Sequence, residues 1–136
     1  MERELVRTIL TAFQPPPEDS RMHELSIASS ILDAVKAEAE RRPGTRILKV
    51  GVRVGELAGV DPEALSFCFE SIVQGTALAP LGLEIEHRPH QNRCPHCARV
   101  FQVVDYEVAC PACGTSDTDM ISGDELELAY LEVEGP

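Results

Sequence analysis

Residues 51–76 read GVRVGELAGVDPEALSFCFESIVQGT, and this run decides the fold. It completes a segment, residues 46–55, in which Leu48, Val50, Val52 and Val54 alternate with Lys49, Gly51 and Arg53. Alternation with a period of two predicts a strand with one buried face. Gly55 to Val60 then turn the chain. Asp61-Pro62 is a helix start: the aspartate oxygen can accept from the first-turn N–H groups, and proline fits the first helical position, where its missing N–H costs nothing. From there to about Gln74, Leu65, Cys68, Phe69, Ile72 and Val73 recur on one face, and Gly75 ends the helix.

The flanks extend this unit. Residues 24–42 predict a first helix, with Leu25, Ala28, Leu32, Val35 and Ala39 in one apolar stripe widened by Ile31. Asp33, Lys36 and Glu40 face the other way. Arg41-Arg42 suits the negative end of the helix dipole, and Pro43-Gly44 stops it. Downstream, residues 82–88 predict a strand with Leu83 and Ile85 on one face and Glu84 and Glu86 on the other. Residues 124–133 predict another, regular at Glu125-Leu126-Glu127-Leu128. Its pattern slips at Ala129-Tyr130-Leu131, so its register stays open. The expected fold is α+β: two helices packed on one face of a three-stranded sheet, with a zinc-ribbon domain inserted before the last strand.

Three parts follow. Residues 22–88 plus 121–136 form the α+β domain, and residues 89–120 form the ribbon. Residues 1–21 are an N-terminal extension, in which Leu5, Val6, Ile9, Leu10 and Phe13 have helical spacing before Pro15-Pro16-Pro17 stops any helix.

The insert carries Cys94-Pro95-His96-Cys97 and, twelve residues on, Cys110-Pro111-Ala112-Cys113-Gly114. Each CxxC is a tight turn that aims two sulfurs at one point, and two such knuckles make the tetrahedral four-sulfur cage that zinc accepts. Gly114 fits a backbone position with positive φ. Val100, Val103, Val104 and Val108 suggest a short hairpin between the knuckles. A rubredoxin-type iron site and redox-active dithiols compete with zinc. A closed four-sulfur site leaves no position for catalysis, so zinc here would be structural. His96 is either a spacer or a substitute ligand, Cys68 is a core thiol, and His87 and His90, three apart near the insert junction, are either solvated or core histidines or groups that approach a metal.

Composition narrows the function. The 136 residues carry a formal charge of −11, which repels phosphate backbones and disfavours nucleic-acid binding. No stretch approaches the ~18 apolar residues of a membrane span, and Glu2, Glu4 and Arg7 interrupt any signal-peptide core. A cytoplasmic location is expected, where paired cysteines bind metal rather than form disulfides. No nucleophile has an evident base and no glycine-rich phosphate loop is present, so no enzymatic activity is expected.

Met22-His23-Glu24 precedes the first helix. The stretch MHELSIASSILDAV, the quoted run at 51–76, the two knuckles and the short acidic strand occur in this order, and together they resemble the hydrogenase nickel incorporation proteins of the HypA/HybF family over residues 22–134. The resemblance implies a nickel metallochaperone for [NiFe]-hydrogenase maturation, some members also serving urease. It implies Ni(II) as transient cargo at His23, with the Met22 amine if Met22 is the true start and Glu24 alongside. It implies structural zinc on Cys94, Cys97, Cys110 and Cys113, and as partners a HypB-type GTPase and the hydrogenase large subunit. A homodimer is compatible with the sequence. Nitrogen donors in a square plane suit Ni(II). Met22 is internal here, so its nitrogen is an amide. Residues 1–21 as a start-site artefact, as a removable segment, or as a genuine extension are three open readings. A zinc-ribbon interaction module without nickel is the alternative function.

Overall fold

A computed structural model describes residues 3–6, as backbone only, and residues 24–135. The elements run β1 (Arg3–Val6), α1 (Glu24–Arg41), β2 (Arg46–Gly55), α2 (Pro62–Val73), β3 (Gly82–Arg88), β4 (Gln91–Arg93), β5 (Val100–Gln102), β6 (Asp119–Ser122) and β7 (Leu126–Glu134), with a 3-10 turn at Glu56–Ala58 between β2 and α2. They form a four-stranded sheet in the order β1-β7-β2-β3 and a three-stranded sheet in the order β5-β4-β6. The pair β2–β3 is parallel, with α2 as its crossover, and the pairs β2–β7 and β1–β7 are antiparallel.

The larger sheet contains the three expected strands. The fourth, β1, comes from the N-terminal extension, where helical spacing had suggested a helix. Its Arg3–Val6 backbone pairs with Leu131–Glu134 of β7, whose edge is otherwise open. The helical reading is therefore wrong for Leu5 and Val6; Ile9, Leu10, Phe13 and the triple proline lie outside the described residues.

Both helices pack on one face of this sheet, around a core of Ile27, Ile31, Leu32, Val35, Val50, Val52, Leu65, Phe69, Leu131 and Val133 among others. Asp61 caps α2: its Oδ1 accepts from the backbone of Glu63 at 3.0 Å and of Ala64 at 3.4 Å. The buried arc of α1 is rotated from the expected stripe. Ile27, Ala34 and Glu38 are inside and Leu25 is 54% exposed, because the helix meets both α2 and the sheet and Leu25 lies outside the arc that they cover. Glu38 Oε2 accepts from Arg42 Nε at 3.1 Å.

Two β-bulges resolve the pattern that alternation left open. On β7, Tyr130 pairs with Gly51 but Leu128 pairs with Val52, so Ala129 is an extra residue. Leu126 and Leu128 before it, and Leu131 and Val133 after it, thereby face the same core. On β2, Ile47 pairs with Val133 and Lys49 with Glu132, which makes Leu48 the extra residue and buries Ile47 in place of the expected Leu48. The opposite face is polar: Lys49 and Arg53 bridge Glu84, Glu86, Glu127 and Glu132, and the Tyr130 hydroxyl donates to Glu84. The Tyr130 ring lies over Gly51, where a Cβ would sit 2.1 Å from it. Among the described residues no helix is long and apolar enough to cross a membrane.

Candidate metal centre

The smaller sheet carries the four-cysteine cluster. In the first knuckle the Cys94 N–H donates to Arg99 O at 2.9 Å and the Ala98 N–H to Cys94 O at 2.8 Å. The second repeats it: Cys110 N–H to Thr115 O at 2.8 Å, and Gly114 N–H to Cys110 O at 2.8 Å. The equivalent fourth-turn positions both have positive φ, 63° at Ala98 and 78° at Gly114. The expected glycine position at 114 is confirmed, and in the first knuckle an alanine fills the same role. The expected hairpin between the knuckles does not form. The first knuckle is itself the hairpin turn, so β5 pairs back with β4, and positive φ at Asp105 and Tyr106 breaks the strand pattern before Val108.

The four sulfurs converge. Cys94 Sγ lies 3.5 Å from Cys113 Sγ and Cys97 Sγ 3.6 Å from Cys110 Sγ, and all four ligand atoms lie within 4.8 Å of one another. A tetrahedral site with metal–sulfur bonds of ~2.3 Å needs sulfurs about 3.8 Å apart, so the residues present fit a zinc-sized ion. Among the described residues this is the one cluster of three or more His, Cys, Asp or Glu side chains placed to hold a metal. Cys94 and Cys110 are buried and Cys97 and Cys113 exposed, so one side of the centre faces solvent.

The sulfurs share their protons unequally. The Cys113 backbone N–H, with that of Ala112 and the Cys97 and Cys113 thiols, outweighs desolvation and lowers Cys110 to about 6. The Arg99 backbone N–H favours a thiolate at Cys97, but the bond to Cys110 and desolvation outweigh it and raise that thiol to about 11. Cys113 is also raised: the Thr115 N–H opposes the shift, and the bond to Cys94 and desolvation prevail. Backbone donors thus already support negative charge at the centre, and metal binding would displace the remaining protons.

A polar network that sequence reasoning missed supports the ribbon. Buried Asn92 on β4 donates through Nδ2 to Thr118 Oγ1 at 2.9 Å, and Thr118 donates to Val108 O at 2.6 Å. A single asparagine in a three-residue strand gives no signal in advance. His96 is exposed and makes no part of the cluster, His87 is exposed, His90 is buried at the junction, and Cys68 is partly buried against the main core.

The ribbon is fastened to the body where β2 ends. Gly55 N–H donates to Glu125 O and Leu57 N–H to Gly123 O, both at 2.7 Å, and Ser122 Oγ donates to Pro89 O at 2.7 Å. The strands approach so closely that a Cβ at Gly55 would lie 2.2 Å from Gly123 O. The far end of the same connecting segment meets the start of α1: the Asp61 N–H donates to Glu24 Oε1 at 3.1 Å. Glu24 is thus engaged in joining the two helix starts, a role that local patterning did not suggest. Met22 and His23, the other expected nickel residues, lie outside the described residues. Residues 55–61 therefore connect the ribbon junction with the residue that follows His23.

The fold and this centre define an α+β protein with an inserted four-cysteine metal ribbon. Residues 22–133 match the family described as hydrogenase/urease nickel incorporation, metallochaperone, hypA, and the chain belongs to that family. It is 42% identical over 113 residues to the hydrogenase maturation factor HypA of Geobacter sulfurreducens, covering 83% of this chain and 100% of that one. It is 40% identical over 115 residues to the same factor from Streptomyces avermitilis, covering 83% and 88%. A HypA solution structure superimposes with a TM-score of 0.63 at 25% identity, covering 85% of this chain and 98% of that one. The solution structure of the Ni metallochaperone HypA from Helicobacter pylori shares the fold, with a TM-score of 0.56 at 23% identity over 83% and 98%.

Proposed function

We propose that this nickel metallochaperone of hydrogenase maturation takes up Ni(II) at Met22-His23-Glu24 and holds structural zinc on Cys94, Cys97, Cys110 and Cys113. The observation that supports the division of labour most is spatial. The four sulfurs form a closed set in the ribbon, while Glu24 sits on the body at the opposite end of residues 55–61. His23 supplies a neutral imidazole and backbone nitrogens, the donor set that Ni(II) prefers. Glu24 acts chiefly by fixing the start of α1 against Asp61. Uptake weakens as pH falls below roughly 6.5, where a free histidine protonates. Residues 22–88 plus 121–136 serve as the nickel-binding domain and residues 89–120 as the zinc-ribbon domain. The chain carries no catalysis of its own. It works in the cytoplasm with a HypB-type GTPase and the [NiFe]-hydrogenase large subunit, and a homodimer is compatible with this role.

The test is a calorimetric nickel titration of two zinc-loaded chains, one starting at Met1 and one at Met22, each with its His23→Ala variant. Tight binding of one nickel by the shorter chain, lost on His23→Ala, supports the reading and makes the Met22 amine a donor. Equal binding by both chains makes the amine dispensable. Absence of binding in both removes the nickel assignment and leaves a zinc-ribbon interaction module.

A further inference from the structure

We infer that the groove between α2 and the free edge of β3 docks an extended, basic segment of a partner protein, seated as an additional strand on β3. Phe67 carries the first part of the argument. On α2 the residues Leu65, Phe69 and Val73 are buried, yet Phe67 is 71% exposed on the opposite arc. With Pro62, Glu63, Ser66, Glu70 and Ile85 it lines a shallow, open groove of about 430 Å³. Residues 63, 66, 67 and 70 share one helix face by spacing, and Ile85 belongs to β3, so the groove runs along the seam between helix and strand.

The second part is the strand. β3 closes one end of the larger sheet, and among the described residues β2 is its strand partner on one side with none on the other. An unpaired edge of seven residues is a template for strand addition. A strand laid there points alternate side chains toward α2, where Phe67 and Ile85 receive an apolar one.

Charge selects the occupant. Glu63 and Glu70 flank Phe67 and have no ion-pair partner among the described residues, whereas Glu84 and Glu86, on the other face of β3, are held by Lys49 and Arg53. Lysine or arginine two positions from the apolar anchor, on the same face of the strand, would therefore meet these two carboxylates. A second copy of this chain fits poorly, because a chain of charge −11 would bring its own acidic edge against these glutamates. The inference rests on the α2–β3 geometry and stands whether or not nickel is the cargo.

The test titrates the full zinc-loaded, isotope-labelled chain with a capped seven-residue peptide that has lysine, valine and lysine at positions 2, 4 and 6, all on one strand face, and threonine elsewhere, followed by amide NMR. A control peptide of equal charge carries proline at two adjacent central positions, so that one N–H required to face β3 is missing in either register. Expected are shifts confined to residues 62–70 and 82–88, exchange protection at outward amides of β3, and affinity about tenfold weaker in Phe67→Ser. Phe67 is solvent-facing, so zinc content and circular dichroism of that variant should match the parent. Equal binding of the proline peptide, or shifts spread over other acidic surfaces, would overturn the inference as general charge attraction. A concentration-dependent mass without peptide, abolished by Phe67→Ser, would overturn it in favour of a second copy.

Discussion

The α+β body and the ribbon are held together by different physics. The body buries a contiguous aliphatic core shared by two helices and three long strands. In the ribbon the strands are three or four residues long, and the buried residues are Cys94, Cys110 and Val103 with His90 and Asn92 at its base. Burial at about 25 cal/mol per Å² can stabilise the first and can do little for the second. The same chain thus contains a unit with its own apolar core and one with little apolar burial around four sulfurs placed to hold a metal.

Removing the metal breaks this comparison most strongly. A strong chelator, or Cys94→Ala, is expected to unfold residues 91–122 while leaving the body folded. Amide exchange checks it: protection should vanish in β4–β6 and persist in α1, α2 and β2. The reverse experiment is Phe69→Ala, which opens a cavity at a fully buried site and should cost the body about 3–5 kcal/mol. Denaturant titration reads the loss, and zinc content should stay at one per chain.

The two knuckles offer a finer comparison. Ala98 at φ 63° bears a side chain where Gly114 at φ 78° has none. Ala98→Gly should strengthen the ribbon by about 1 kcal/mol and Gly114→Ala weaken it by a similar amount, read as opposite shifts in the chelator concentration that releases zinc. The smallest effect lies on the polar face of the body. Desolvation, then the bond to Glu84, raises Tyr130 to about 12. A raised folded value means that this contribution is complete below the ordinary tyrosine value near 10 and is lost as pH rises toward 12. Tyrosinate absorbance should show a component with a midpoint near 12. Tyr130→Phe should remove that component and flatten the alkaline loss of stability.

Regular alternation and capping chemistry made most of the body legible. Asp61-Pro62 marks the start of α2, and β2 and β3 occupy the expected 46–55 and 82–88. The knuckle spacing made the sulfur cluster legible for the same reason: a CxxC turn is a local structure. What stayed hidden depends on pairing. The bulges at Leu48 and Ala129 invert side-chain parity only when two strands are aligned. β1 exists by virtue of the β7 edge, which no local pattern in residues 3–6 announces. The Glu24–Asp61 contact joins residues far apart in the chain, so a motif at 22–24 could not declare it.

The central claim is that the two metals occupy chemically distinct places. X-ray absorption at the zinc and nickel edges of the loaded chain tests it most directly. The account predicts zinc surrounded by four sulfurs at ~2.3 Å and nickel surrounded by nitrogen and oxygen donors, with no sulfur scatterer. Sulfur at the nickel edge, or nitrogen replacing sulfur at the zinc edge, would contradict it.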